Sequence, residues 1–133
     1  MKRKELVPDW PWVKKVSYAP GTQCGEWVYV AGQVAFGPDG EMVGGTDMEA
    51  QSDRVFANIA GILELAGASL DDVMKVTVFM VDPDQYDGYA RARSRAFPRH
   101  RPASTLIPVQ KLLKPGLLVE VEAYAIVGAG RDG

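Results

Sequence analysis

Two carboxylates near the C-terminus are the residues of this chain best suited to acid–base chemistry. The stretch Leu117 to Val127 is apolar except for Glu120 and Glu122, and glycines bound it, which predicts a strand. Because side chains alternate along a strand, both acids lie on one face together with Tyr124. A carboxylate enclosed by apolar groups has a raised pKa and can pass protons near neutral pH. The same spacing also occurs in solvated surface acids, and Glu122 fits an ion pair across a subunit interface.

Cysteine and histidine chemistry has little support in the sequence. The chain has one cysteine, Cys24, and one histidine, His100. No His or Asp–His pair accompanies Cys24, which indicates a small buried or loop thiol, and a single cysteine excludes an intramolecular disulfide. His100 follows Arg99 in a polar segment, where a surface role is the default. We therefore expect no metal and no cofactor.

A basic cluster lies in the segment RARSR, which is followed by RHR. Arg91 and Arg95 share one face of a predicted helix, and Arg93 is offset by two residues. The cluster is either a solvated helix face balanced by nearby acids or a rim that binds anions. An RNA surface is disfavoured, because 15 basic residues face 17 acidic ones and the net charge is −2.

Length and composition indicate one globular domain over residues 1–133. The apolar content is 47% and the charged content 24%, both ordinary for a globular protein. The apolar runs are too short to span a bilayer, and the N-terminus lacks the apolar core of a signal peptide. We expect a cytoplasmic protein that does not associate with membranes.

Strands and helices follow from hydrophobic periodicity and turn chemistry. Predicted strands are 12–19, 27–36, 41–43 (short), 74–81, 104–109 and 117–127, and residues 20–26 are predicted as a loop. A helix over about 47–66 begins with a Thr46/Glu49 capping box, and a second, over about 83–97, has Asp82 as N-cap and Pro83 at its first position. This order predicts an α+β two-layer sandwich, a mixed sheet with two helices on one face. Its other face requires cover from another subunit.

Three groups of segments occur in a fixed order along the chain: WVYVAGQVAFGPDGEMVGG, then the helix and strand AQSDRVFANIAGILELAGASLDDVMKVTVFMVD, then RPAST with PGLLVEVEAYA. This ordered set, which covers about Tyr18 to Ile126, resembles the reactive-intermediate deaminase family, called Rid or YjgF and also endoribonuclease L-PSP. The resemblance implies a YjgF-like, chorismate-mutase-like fold and a homotrimer with a ligand pocket at each subunit interface.

The resemblance also implies site residues. It assigns the water-positioning glutamate of the deaminases to Glu120, the backbone position to Gly32 and the pocket tyrosine to Tyr18, which could equally be an ordinary strand aromatic. Ser104 occupies the place of the arginine that grips the substrate carboxylate, and Thr105 follows it. A helix asparagine of many members corresponds loosely to Ala90.

The absent arginine bears on the substrate. A serine hydroxyl offers one donor and no charge, whereas a bidentate arginine supplies geometry and charge. The loss corresponds to about tenfold to a hundredfold in affinity. The hydroxyls of Ser104 and Thr105 suit a neutral or polar ligand, unless Arg91, Arg93 or Arg95 compensates.

The resulting hypothesis is an enamine or imine deaminase, a hydrolase with non-standard specificity. Its substrate is a small molecule, and we expect no nucleic-acid partner. Two alternatives stay open: a trimer that only binds small metabolites, and an endoribonuclease.

Overall fold

In the computed structural model, which describes residues 1–131, six strands form one mixed sheet. They are β1 (Arg3–Leu6), β2 (Gly21–Cys24), β3 (Trp27–Gln33), β4 (Val73–Met80), β5 (Ala103–Pro108) and β6 (Val119–Ile126). Their order across the sheet is β1-β2-β3-β6-β4-β5. Only the edge pair β4–β5 is parallel, and the other pairs are antiparallel.

Two α-helices, α1 (Met48–Glu64) and α2 (Tyr86–Ala96), cover one face of this sheet. The apolar face of α1 and the inward residues of the central strands form one core; fully buried members include Val28, Val55, Ile59, Ile62, Val76, Val78 and Val121. The predicted α+β two-layer architecture is therefore confirmed.

Within residues 1–131, neither α-helix covers the opposite face of the sheet, here called the open face. Trp27, Tyr29 and Tyr124 lie on it and remain 53%, 46% and 40% exposed. The rings of Tyr29 and Tyr124, which are paired across β3 and β6, meet edge to face at 5.6 Å. A contiguous aromatic surface of this kind is typical of an interface.

The N-terminal part of the chain differs from the prediction. Residues 12–19 do not form a strand; Pro11–Lys15 is a 3-10 helix with Pro11 in its first turn. Proline fixes φ and has no N–H for a strand ladder, so it favours a helical start. The alternating pattern reflects packing instead, since Trp12 lies against Phe36 and Val13 is buried.

The predicted loop 20–26 contains β2. Its residues lack strong strand propensity, yet their backbone pairs with β1 on one side and β3 on the other. Only Gly25 and Glu26 remain as the turn, and Gly25 takes φ +59°, which a glycine adopts without strain. Pairing on both sides therefore outweighs composition here.

Smaller differences occur at element ends. The N-cap of α1 is Asp47, whose side chain accepts from the Glu49 N–H, so the predicted Thr46 capping box is wrong. Asp82 does act as an N-cap, but for a 3-10 turn that precedes α2. The short strand at 41–43 is a single bridge between Phe36 and Met42.

Candidate functional site

Glu120 lies on the open face of β6, as the alternation predicts. Its register partner on β4 is Phe79, and its neighbours along β6, Val119 and Val121, are fully buried on the helix side. The Glu120 carboxylate is half-buried. The otherwise apolar strand therefore carries one carboxylate that can accept and donate protons.

The carboxylate of Glu120 lies against the backbone of Gly32. The β3–β6 register shifts between Val30 and Gln33, and this irregularity brings Gly32 close to the acid. A Cβ at position 32 would lie 2.8 Å from Glu120 Cδ and 3.1 Å from its Cγ. The absence of a side chain at Gly32 therefore makes room for the carboxylate.

Burial raises the pKa of Glu120 above that of an ordinary glutamate, and the negative charge of Glu122 raises it further. Desolvation disfavours the charged form, and a neighbouring like charge acts in the same direction. Both effects favour the protonated form of Glu120 and so make its carboxylate a better proton acceptor than that of an ordinary glutamate.

Tyr18 is the second predicted residue that the structure brings to Glu120. It lies in the irregular segment before β2 and is 52% exposed. Burial of part of its ring raises the pKa of Tyr18, and the negative charge of Glu120 raises it further. Its phenol therefore stays protonated and is a hydrogen-bond donor at neutral pH.

Glu122 has a different environment from Glu120. Its carboxylate accepts a hydrogen bond from the Tyr124 hydroxyl at 3.1 Å. That hydrogen bond and the Glu122 charge raise the pKa of Tyr124. The predicted cationic partner is not present in the described chain, where Glu122 forms no ion pair; a partner across an interface stays a prediction.

The two hydroxyl residues of β5 lie on opposite faces. Thr105 is paired with Thr77 on the open face, and its hydroxyl accepts a hydrogen bond from Lys75 at 3.1 Å. Ser104 is paired with Val76, a core residue, and so faces the helix side. Within one chain the structure brings Thr105, but not Ser104, to the face of Glu120. The role predicted for Ser104 therefore depends on a different surface.

Most arginines of the basic cluster are used in ion pairs on the helix surface. Arg91 and Arg95 both bind Glu49, and Arg95 also binds Asp53, which joins α2 to α1. These pairs hold the pKa of Glu49 below its usual range through hydrogen bonds from Arg91 and Arg95. Neither arginine lies on the open face with Glu120.

Two buried amides on α1 position the site, and the sequence analysis missed both. Gln51 donates to the carbonyls of Gly45 and Gly116 and accepts from the Leu118 N–H, just before β6. Seven residues later, Asn58 donates to the carbonyls of two residues that follow β3, Val34 and Phe36. The available signal was two amides on the apolar face of an amphipathic helix.

Residues 1–131 were compared with the requirements of a metal site and of a membrane-spanning helix, and two features are absent from them. No three His, Cys, Asp or Glu side chains there are grouped to hold a metal ion. Within the same range, no helix has the length and apolar character to cross a bilayer.

Comparison with known proteins gives consistent matches over most of the chain. The family model for Endoribonuclease L-PSP matches residues 13–127. A RutC family protein of Pyrococcus abyssi is 40% identical over 109 residues, 81% of this chain and 84% of that protein. The mitochondrial protein MMF1 of Saccharomyces cerevisiae is 33% identical over 108 residues, 80% of this chain and 74% of its own length.

Solved structures show the same fold. RidA of the Antarctic bacterium Psychrobacter sp. is 32% identical, with a TM-score of 0.78 over 84% of this chain and 89% of that one. A Mycobacterium tuberculosis member of the YjgF/YER057c/UK114 family is 29% identical, with a TM-score of 0.82 over 95% and 100% of the two chains.

Proposed function

The chain belongs to the Rid/YjgF family, also called endoribonuclease L-PSP, and from this membership we propose that it hydrolyses small imines or enamines. The observation that carries the proposal is Glu120, a half-buried acid of raised pKa that lies against the Gly32 backbone and near the Tyr18 phenol. Such a hydrolysis requires an acid–base group and a hydrogen-bond donor on a surface that the substrate can reach.

The proposed reaction adds water to a carbon–nitrogen double bond. The Glu120 carboxylate accepts a proton from water while the water oxygen bonds to the imine carbon and the π electrons pass to nitrogen. Glu120 then returns the proton to the nitrogen, which gives a carbinolamine. The carboxylate next takes the proton of the carbinolamine hydroxyl and passes it to the nitrogen; the electrons of that O–H bond form the carbonyl, the carbon–nitrogen bond breaks, and ammonia leaves. The raised pKa of Glu120 suits these transfers, since it brings the acid closer to working pH.

We further propose that the site is completed in a homotrimer. The exposed aromatic surface of Trp27, Tyr29 and Tyr124 supports association through the open face, the same face that carries Glu120. Burial of this surface would enclose the carboxylate and raise its pKa further. The active unit would then have clefts between subunits.

The test is hydrolysis of imines generated in solution from several amino acids by an amino-acid oxidase, with ammonia or keto acid measured against the spontaneous rate. We expect acceleration by the wild type and a loss of about 10²-fold or more in turnover for Glu120→Gln, because glutamine keeps the shape but cannot act as a base. Glu5→Gln, which removes an exposed carboxylate on β1 of the same sheet, is the matched control.

Three outcomes separate the functions. Imine hydrolysis that depends on Glu120 supports the deaminase. Saturable binding of small metabolites with no acceleration by any variant would replace it with a binding trimer. RNA cleavage that persists through purification and weakens in Glu120→Gln would replace it with a nuclease.

A further inference from the structure

A bulge in β3 brings the backbone of Gly32 to the Glu120 carboxylate. The β3–β6 register shifts between Val30 and Gln33, where three residue steps along β3 face two along β6. Within residues 1–131, the two residues between them, Ala31 and Gly32, have no register partner in β6. An extra residue in one strand disrupts the hydrogen-bond ladder, so the backbone at this point needs support from another group.

Gln33 provides such support from within the bulge. Its side-chain Nε2 donates to the Ala31 carbonyl at 3.0 Å, so the side chain folds back by two residues along its own strand. The Ala31 N–H donates to the Pro20 carbonyl at 2.9 Å. Both polar groups of Ala31 are thus bonded outside the β3–β6 ladder, and the bond to its carbonyl depends on one side chain.

The Gln33 side chain lies on the side of the sheet opposite Glu120. Gln33 is 2% exposed, and its register partner Val121 is a buried core residue, which places both side chains on the helix side. Gly32 meets Glu120 on the open face, where a Cβ at position 32 would lie 2.8 Å from Glu120 Cδ. The Ala31–Gly32 peptide therefore lies between a buried amide and the carboxylate. A buried amide is costly among apolar neighbours unless it is hydrogen-bonded, which favours a specific role for this bond.

We propose that Gln33 is a positioning residue for imine hydrolysis, because its amide holds the Ala31–Gly32 peptide in the bulge and so keeps the Gly32 backbone against Glu120. The Ala31 carbonyl and the Gly32 N–H belong to one planar peptide, so a bond that fixes the carbonyl also fixes the direction of the N–H. In a trans peptide the two groups point in opposite directions. With the carbonyl bonded from the helix side, the N–H is directed toward the open face, where it can donate to a substrate beside Glu120.

This inference rests on the proposed function, but the geometry that it requires can be measured without a substrate. Gln33→Met removes the donor while it keeps the length of the side chain. We expect the Gly32 amide resonance to shift in this variant. We also expect the pKa of Glu120 to fall toward that of an ordinary glutamate, because burial is the main cause of its elevation and part of that burial is lost.

Kinetics with an imine that the wild type accepts form the second measurement. In Gln33→Met, kcat should fall about tenfold to a hundredfold, because misplacing a reacting group by about 1 Å can cost about 10²-fold. KM should stay within about twofold. The assay temperature is chosen from thermal unfolding curves so that every variant is folded, which removes the effect of stability from the comparison.

Gln23→Met is the matched control. Gln23 makes the same kind of contact, since its Nε2 donates to the carbonyl of Gly25, two residues away, at 3.1 Å. That bond lies at the β2–β3 turn and not at the bulge. Gln23→Met should therefore leave kcat, the Gly32 amide resonance and the pKa of Glu120 close to their wild-type values.

The outcomes separate positioning from a purely structural role and from failure of the proposed function. Unchanged Gly32 and Glu120 signals in Gln33→Met overturn the proposal whether or not the protein hydrolyses imines, and so do equal losses of kcat in Gln33→Met and Gln23→Met. Changed signals in a wild type that hydrolyses no imine would retain the geometry but exclude the reaction, and with it the catalytic role of Gln33. If Gln33→Met does not fold, Gln33→Asn, whose amide is one methylene too short to reach Ala31, is measured in its place against the same expectations.

Discussion

Gly32→Ala is a one-carbon change that displaces the proposed catalytic carboxylate without removing it. Gly32 is not among the glycines with positive φ, so alanine meets no backbone strain there. Its Cβ would instead lie 2.8 Å from Glu120 Cδ, where nonbonded carbons normally approach to about 3.5–4.0 Å. The carboxylate must therefore move by roughly 0.7 to 1.2 Å.

A displacement of that size predicts a large catalytic effect and a small structural one. Misplacing a reacting group by about 1 Å can cost about 10²-fold in rate, and we expect kcat for imine hydrolysis to fall by that order. The cost in stability should be near the low end of the roughly 1–3 kcal/mol of overpacking, because the obstructing group is the end of a side chain on the open face.

The measurement is kcat and thermal midpoint of Gly32→Ala beside the single variant Glu120→Gln and the double variant. If Gly32 acts by making room for Glu120, adding Gly32→Ala to Glu120→Gln should change turnover by less than about twofold. Gly61→Ala in α1, on the helix side of the sheet, is the matched control, since the added Cβ would lie 3.3 Å from a ring carbon of Trp10. Full activity in Gly32→Ala, or additive losses in the double variant, would refute this account of the site.

Three further predictions test the electrostatics, a buried cap and the assembly. Because the pKa of Glu120 is raised in the folded state, the wild type loses stability as pH rises through that pKa. The thermal midpoint of Glu120→Gln minus that of the wild type should therefore be larger near about pH 7 than near about pH 4. An equal difference at both pH values would contradict the raised pKa. Asp72 accepts from the N–H groups of Ser69 and Gly130, so Asp72→Ala should lower the free energy of unfolding by about 1–3 kcal/mol in denaturant titrations, whereas Asp84→Ala at an exposed position should change it little. Sedimentation equilibrium should give a mass near three times the 14.5 kDa chain, and a stable monomer at micromolar concentration would exclude the trimer.

The central architecture could be predicted because the central strands and α1 have strong hydrophobic periodicity in sequence. The alternation in β6 correctly put Glu120 on a different face from Val119 and Val121, and the apolar spacing in α1 predicted its inward face. Pairing of β2 with β1 and β3 could not be predicted from residues 20–26, since it rests on backbone hydrogen bonds and the side chains of β2 itself carry no strand pattern.

Part of the candidate site could be predicted from the sequence. Two of its features could not: a close steric contact, and the faces on which two residues of β5 lie. Gly32 and Tyr18 were assigned by resemblance, but the contact between the Gly32 backbone and the Glu120 carboxylate depends on a local register shift in β3. The separation of Ser104 from Thr105 depends on the parallel register of β5 against β4, which a one-residue shift would reverse. Such registers are set by three-dimensional packing rather than by local sequence.

The two amides of α1 also have a consequence for the motions of the protein. Gln51 binds the backbone at the entry to β6 and Asn58 binds the backbone at the exit from β3, so both sides of the Glu120–Gly32 contact are anchored to one helix. These segments should therefore open together with α1, and their slowest amide protons should exchange at a common rate set by that larger unfolding event. The edge strand β5, paired on one side only, is free to exchange by smaller openings. The segments that hold Glu120 and the edge strand β5 therefore belong to separate cooperative units of unfolding.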